Sequence, residues 1–128
     1  MRFYTIALTA TNTPATLTSL IEAGISGTEL TTFQRKKRNI LRIALYSEGG
    51  NAAAGVRFGK GSGLDQVDIV AADAGADDDA VTNGFPIAPG ATDHELFGPC
   101  GHAAPYSCDA IYVAGTLGDV LQIGIVTL

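Results

Sequence analysis

The segment from Ala110 to Leu128, AIYVAGTLGDVLQIGIVTL, is the stretch that decides the fold. It contains two runs rich in β-branched and aromatic residues, Ala110 to Gly115 and Val120 to Leu128, with the short connection Gly115 to Asp119 between them. Two such runs around a glycine-bearing turn are typical of a β-hairpin. The segment therefore predicts a hairpin built from the last two strands.

Two earlier segments predict further strands. Residues 2–11 (RFYTIALTAT) alternate bulky and β-branched side chains without a helix-breaking or strand-breaking residue. Residues 38–46 (RNILRIALY) place Leu41, Ile43 and Leu45 on one face, which is the alternation of a half-buried antiparallel strand. Both segments favour an antiparallel sheet.

One short helix is predicted over residues 14–23. Thr13-Pro14 is a good helix start, Leu17, Leu20 and Ile21 fall on one face, and Gly24 can end the helix.

The rest of the chain breaks into short apolar runs between turns, which indicates a sandwich or a barrel. One run is a strand near His94 to Phe97, and two prolines exclude a central strand from residues 84–90. We predict an all-β, antiparallel β-sandwich of jelly-roll type. It would be one domain over residues 1–128, with an N-terminal arm over about residues 1–12.

Charge is distributed unevenly along the chain. All eight basic residues lie between Arg2 and Lys60 with only three acids, so this part carries +5, whereas residues 61–128 carry −10. The asymmetry is consistent with compensation on the surface of one domain, or with complementary docking between copies or onto a partner. No apolar run is long enough to cross a bilayer, so we expect no membrane partner.

The histidines and cysteines are confined to one short stretch. His94, Cys100, His102 and Cys108 could form a tetrahedral zinc shell, although the stretch lacks a Cys-x2-Cys knuckle. A Cys100–Cys108 disulfide and two free thiols are the alternatives. A catalytic Cys100–His102 pair is a weaker interpretation, because neighbouring residues on a strand point to opposite faces.

Two further patterns fall short of known ligand sites. Residues 54–61 resemble a phosphate-binding loop, but Ala54 and Gly61 replace the glycine and the hydroxyl residue that the loop needs. The acidic tract at residues 77–79 lacks the glycine and terminal glutamate of a calcium loop. We therefore expect no cofactor and no metal.

Half of the basic residues form the run Arg35-Lys36-Lys37-Arg38. The run is not interleaved with aromatic residues, and the chain is acidic overall. A solvated or protein-docking patch is therefore favoured over a nucleic-acid site.

From Asn51 onward the sequence resembles small phage structural proteins, among them capsid decoration (cement) proteins and tail accessory proteins. The resemblance lies in a "VRFG" strand, a "GFPIAPGA" turn and the final "IYVAGTLGDVLQIGIVTL". The matched positions are Gly84, Pro86, Ile87, Pro89, Gly90, Ile111, Tyr112, Val113, Gly115, Gly118 and Asp119. Residues 97–108 are an insertion relative to that pattern.

This resemblance implies a non-enzymatic decoration protein, made in the host cytoplasm, that binds the outer surface of the major capsid shell as a homotrimer and stabilises it. From charge and position we expect the capsid contacts to be Arg2, Phe3, Tyr4, Arg35, Lys36, Lys37 and Arg38. The alternative is a tail or spike module in which Tyr46, Tyr106 or Tyr112 stacks on a host glycan.

Overall fold

The computed structural model describes residues 2–53, 55–60, 85–90, 94–97 and 107–127, which form eight strands and two helices. The protein is therefore mainly β, as the sequence predicts. The strands are β1 (Arg2–Ala7), β2 (Ala15–Thr16), β3 (Ile40–Ser47), β4 (Val56–Lys60), β5 (Phe85–Ile87), β6 (His94–Phe97), β7 (Ile111–Ala114) and β8 (Val120–Thr127). The helices are α1 (Leu17–Glu22) and α2 (Gly27–Lys36).

The strands form two antiparallel sheets of four. The first sheet has the order β1-β8-β3-β6 and the second has the order β2-β7-β4-β5. The strand predicted over residues 2–11 is confirmed over Arg2–Ala7, so most of the predicted N-terminal arm is an edge strand that pairs with β8 from Arg2↔Ile125 to Ala7↔Val120.

Both sheets and both helices contribute to one hydrophobic core. Ile43, Leu45 and Ile123 of the first sheet are fully buried, and so are Val56 and Val113 of the second. Each such side chain stabilises the folded state by about 1.5–3 kcal/mol relative to an exposed one. Leu17, Leu20 and Ile21 of α1 and Phe33 of α2 complete the core.

The strand predicted at residues 38–46 is confirmed, with one local correction. The register between β3 and β8 shifts between Ile40 and Arg42, so a β-bulge falls at Leu41. Ile40 occupies the buried position, and Leu41 is left 39% exposed instead of lying in the core.

The predicted C-terminal hairpin is wrong. β7 lies between β2 and β4 in the second sheet, whereas β8 lies between β1 and β3 in the first. The connection Gly115 to Asp119 is as tight as predicted, but it carries the chain from one sheet to the other. Two strand-like segments separated by a short turn predict that the chain reverses direction. They do not predict which neighbouring strand each of them will pair with.

The helix predicted over residues 14–23 is confirmed as α1, but its predicted start at Thr13-Pro14 is wrong because Ala15–Thr16 form β2. A second helix was missed. α1 begins at Leu17, where Thr16 accepts a hydrogen bond from the Ser19 N–H at 3.0 Å and caps the helix. α2 contains three threonines and buries only Phe33, so its apolar periodicity is weak. The sequence Ser26-Gly-Thr-Glu29 is a capping-box signature that could have revealed it.

Two smaller predictions are confirmed. A strand covers His94 to Phe97, and Pro86 lies on β5 at an edge of the second sheet, where the missing N–H of proline is tolerated. The loops predicted around residues 61–83 lie outside the described residues. Within the described part of the chain, no helix has the length and apolarity to cross a membrane.

Candidate functional site: a cationic cavity beside the first sheet

Three of the predicted contact residues line one cavity. It has a volume of about 320 Å³ and lies between α2 and the neighbouring ends of β1, β3 and β8. Phe33, Ile40 and Ile125 supply apolar walls, while Arg2, Tyr4 and Lys36 bring two positive charges and a phenol. We call this feature the cationic cavity. Its walls suit a ligand segment that carries negative charge next to an apolar group.

Tyr4 joins the edge strand to α2. Its ring meets the Phe33 ring edge-on, with centroids 5.7 Å apart and planes at 68°, an arrangement that aromatic pairs favour. Burial raises the pKa of Tyr4, although the charge and hydrogen bond of Arg2 oppose that shift. The phenol therefore stays protonated at neutral pH and can donate a hydrogen bond.

Arg2 is held loosely. One of its guanidinium nitrogens lies 3.5 Å from a Glu29 carboxylate oxygen in the first turn of α2, and both side chains are exposed. Exposed ion pairs of this kind contribute at most about 1 kcal/mol. An acidic partner can therefore compete with Glu29 for Arg2 at little cost.

The basic run divides into two halves with different surroundings. Arg35 and Lys36 occupy the last turn of α2, where positive charge is favoured by the helix dipole, and both are exposed. No carboxylate of the described residues forms a salt bridge with either of them. These two charges are available for a partner.

Lys37 and Arg38 are engaged within the chain by Asp109. Lys37 Nζ lies 3.3 Å from one carboxylate oxygen of Asp109, and Arg38 Nε donates to the other at 2.9 Å. The Thr18 hydroxyl of α1 also donates to Asp109, at 2.6 Å. Hydrogen bonds from Thr18, Arg38 and Lys37 lower the pKa of Asp109 to about 2, so the carboxylate is charged at neutral pH.

Lys37 also joins the two helices. Its Nζ lies 3.5 Å from Glu22 Oε1 at the end of α1, an oxygen that is buried and makes no hydrogen bond. The cluster Thr18, Glu22, Lys37, Arg38 and Asp109 thus fastens α1 and the end of α2 to the turn before β7. We call it the Asp109 cluster, and its role is structural.

Cys108 is fully buried and forms no disulfide within the described part of the chain. Burial, followed by the nearby charge of Asp109, raises its pKa to about 12, while Lys37 acts in the opposite direction. A thiol with so high a pKa is a poor nucleophile at neutral pH. Cys100 and His102 lie outside the described residues, as does the acidic tract at 77–79, so the disulfide, zinc, catalytic and calcium hypotheses stay predictions. Among the described residues, no group of three or more acidic, histidine or cysteine side chains could hold a metal.

Phe3, also a predicted contact, lies on the opposite side of β1 from the cationic cavity. It borders a shallow cavity of about 220 Å³ on the outer face of the first sheet, together with Ala44, Tyr46, Gln122 and Gly124. Phe3 is 70% exposed. The small residues Ala44 and Gly124 leave space between the rings of Phe3 and Tyr46.

No family model, curated protein or solved structure matches this chain.

The geometry of the site sorts the seven predicted contact residues into three groups. Arg2, Tyr4 and Lys36 line the cationic cavity, with the exposed Arg35 preceding Lys36 in the last turn of α2. Phe3 faces outward, and Lys37 and Arg38 are paired internally. Sequence reasoning missed Phe33 because it did not find α2. It also missed Asp109, since nothing in the sequence shows which basic residues an isolated acid will meet.

Proposed function

We propose that the eight strands form a jelly-roll sandwich. Four antiparallel pairs, β4–β5, β3–β6, β2–β7 and β1–β8, follow one another outward from the β4–β5 pair as one long ribbon. Two further pairs, β3–β8 and β4–β7, close this ribbon on itself. A ribbon closed in this way is two interlocked Greek keys, which is the topology of a jelly roll.

We further propose that the chain is a phage decoration protein that binds the outer surface of the major capsid shell and stabilises it. The strand order is the observation that carries this proposal, because jelly rolls are a recurrent architecture of viral capsid proteins. The resemblance of residues 51–128 to small phage structural proteins supports it. Since a fold alone does not specify a function, the proposal also needs a binding surface.

The cationic cavity is the surface that we assign to the shell. Arg2 and Lys36 at the cavity, with the exposed Arg35 of the same helix turn as Lys36, would face an acidic patch of the capsid protein, and the apolar walls would hold a side chain of the partner. Complementary charge of this kind accelerates association and fixes orientation. Lys37 and Arg38 are left out of this contact because Asp109 already engages them.

The test is co-sedimentation with shells purified without the protein. The double variant Arg35→Gln, Lys36→Gln should bind about tenfold more weakly than the original chain, and the difference should shrink at high salt because the lost interaction is electrostatic. Thr28→Glu combined with Leu117→Glu changes the net charge equally at exposed positions away from the cavity. This control should bind normally. Equal binding of all three proteins would overturn the assignment of the surface.

A glycan-binding tail or spike module is the second candidate, and one observation favours it. Phe3 and Tyr46 both line a shallow cavity of about 220 Å³, and aromatic rings are the side chains on which a sugar would stack. Lectin domains also use jelly rolls. Tyr112 lies half-buried on β7 in the other sheet and Tyr106 is outside the described residues, so Tyr46 is the tyrosine we assign. Glycan-array binding that is lost in Phe3→Ala and kept in Arg35→Gln would favour this candidate over the shell.

A further inference from the structure

The four sheet edges of the described residues differ in how well they are protected. β2 has two residues, β5 has three and includes Pro86, and β6 has four. Short strands and proline are common devices against unwanted strand pairing. β1 has six residues, no proline, and one charged residue at its first position. Among the strands described, β1 is therefore the edge best suited to accept another strand.

Hydrogen bonds at the end of β1 show which of its main-chain groups face outward. The Leu8 N–H donates to the Asp119 carbonyl at 2.8 Å, and the Gly118 N–H donates to the Leu8 carbonyl at 2.9 Å, which places Leu8 in a hydrogen-bonded pair at a β-bulge. In an antiparallel ladder such pairs alternate with residues whose N–H and C=O point the other way. The main-chain groups of Phe3, Thr5 and Ala7 therefore point away from β8.

A hydrogen bond between β8 and the connection after β3 supports this alternation of inward-facing and outward-facing main-chain groups. Val120, which is opposite Ala7, accepts a hydrogen bond through its carbonyl from the Glu48 N–H at 3.2 Å. Val120 thus bonds toward β3 and not toward β1. The side chains of Phe3, Thr5 and Ala7 are all exposed as well, so a strand could approach this edge.

The outward edge is complementary to a second copy of itself. Antiparallel pairing centred on Thr5 sets Thr5 opposite Thr5 and Phe3 opposite Ala7, so that each large ring covers a small side chain. Arg2 falls opposite Leu8 of the other copy, and the two Arg2 residues are then about 20 Å apart along the strands. No like charges meet, and about six new main-chain hydrogen bonds form.

We propose that two copies of this chain associate along β1, antiparallel and centred on Thr5, and merge their first sheets into one sheet of eight strands. The association is isologous and closes as a two-fold dimer. It differs from the trimer that the phage resemblance implies, and it does not depend on a role in a virion. The two cationic cavities would remain at opposite ends of the β1 pair, because Arg2 and Lys36 lie toward the start of β1.

The first experiment is sedimentation velocity of the full chain over a range of concentrations. The expected species has twice the 13.1 kDa mass of one chain. Thr5→Pro removes the central outward N–H, and Phe3→Lys places charge beside the pairing edge. Each should weaken dimerisation by about tenfold or more. Gln122→Lys adds the same charge on the outer face of the central strand β8 and should leave the dimer unchanged.

A cross-linking experiment fixes the register and does not rely on the proline variant folding. In a Cys100→Ser background, the cysteine introduced by Thr5→Cys should form a disulfide with the same cysteine of the second copy. Hydrogen-bonded antiparallel pairs have Cα atoms about 5.5 Å apart, which is within disulfide range. Thr28→Cys, exposed on α2, should not cross-link at the same rate. A monomer at every concentration, a trimer, or equal cross-linking at both positions would overturn the proposal.

Discussion

The side chain of Asn51 hydrogen-bonds to the main chain of Val120 in both directions. Its Nδ2 donates to the Val120 carbonyl at 2.8 Å, and its Oδ1 accepts from the Val120 N–H at 2.7 Å. Asn51 Nδ2 also donates to the Ser47 hydroxyl at 2.8 Å. One amide therefore ties the connection after β3 to the start of β8, as a short piece of strand would.

Replacing Asn51 should destabilise the protein strongly. Asn51→Ala removes these bonds and leaves the Val120 N–H without its partner, which should lower the free energy of unfolding by about 2–4 kcal/mol. Urea unfolding would show a lower midpoint at an unchanged slope. Asn39→Ala, at an exposed asparagine, is the control and should change stability by less than about 0.5 kcal/mol. Similar losses in the two variants would contradict this account of Asn51.

Gly118 should be required for its backbone conformation and not for lack of space. Its φ is +90°, and an added Cβ would meet no atom within 4 Å. Gly118→Ala should therefore cost about 1 kcal/mol through the left-handed backbone alone. Gly49→Ala is a matched control, since its Cβ would also enter open space and its φ is not in the left-handed region. Thermal unfolding should show a loss of stability in the first variant that the second lacks.

The Asp109 cluster should make stability sensitive to acid. The pKa of Asp109 is lowered from 3.8 to about 2 by hydrogen bonds from Thr18, Arg38 and Lys37. The stabilisation is therefore present above about pH 4 and is lost as the pH falls through about 2. Asp109→Asn should be less stable than the original chain at pH 7, and the two stabilities should converge only as the pH falls to about 2. A constant difference from pH 7 to pH 2 would show that the charge of Asp109 contributes nothing.

The Cys108 thiol should react only after unfolding, because it is fully buried and its pKa is raised to about 12. In a Cys100→Ser variant, a thiol reagent at pH 8 should label Cys108 slowly in buffer and completely in urea. Fast labelling of the native protein would contradict the burial. Intact mass of the original chain without reductant would separately test the predicted Cys100–Cys108 disulfide.

The sequence predicted local features well and failed where distant partners decide the outcome. Apolar alternation located β3, and the leucines of the first helix located α1, because each signal lies within one element. The partners of β7 and β8 depend on how the whole ribbon closes, and no signal inside residues 110–128 carries that information. The exposure of Leu41 could not be predicted for the same reason. It depends on a β-bulge in the pairing of β3 with β8, which keeps this side chain out of the core.

The candidate site was predicted only in part, for a similar reason. Charge alone drew attention to residues 35–38, yet it could not separate Lys36 at the cavity from Lys37 at Asp109. That difference follows from α2 ending at Lys36, which turns consecutive side chains toward different surroundings. Phe33, which forms a wall of the cavity, became visible only with the helix.

The ribbon of strand pairs has a consequence for the order of folding. Of its pairs, β4–β5 joins the two strands that lie nearest to each other in sequence, while β1 and β8 lie at opposite ends of the described chain. The loop that β1–β8 pairing closes is the longest, and proteins dominated by such distant pairings fold on a scale of milliseconds to seconds. During synthesis, β1 leaves the ribosome before the other described strands, and it cannot pair until β8 has been made. Among the described strands, the longest edge strand is thus also the one that stays unpaired for the longest time.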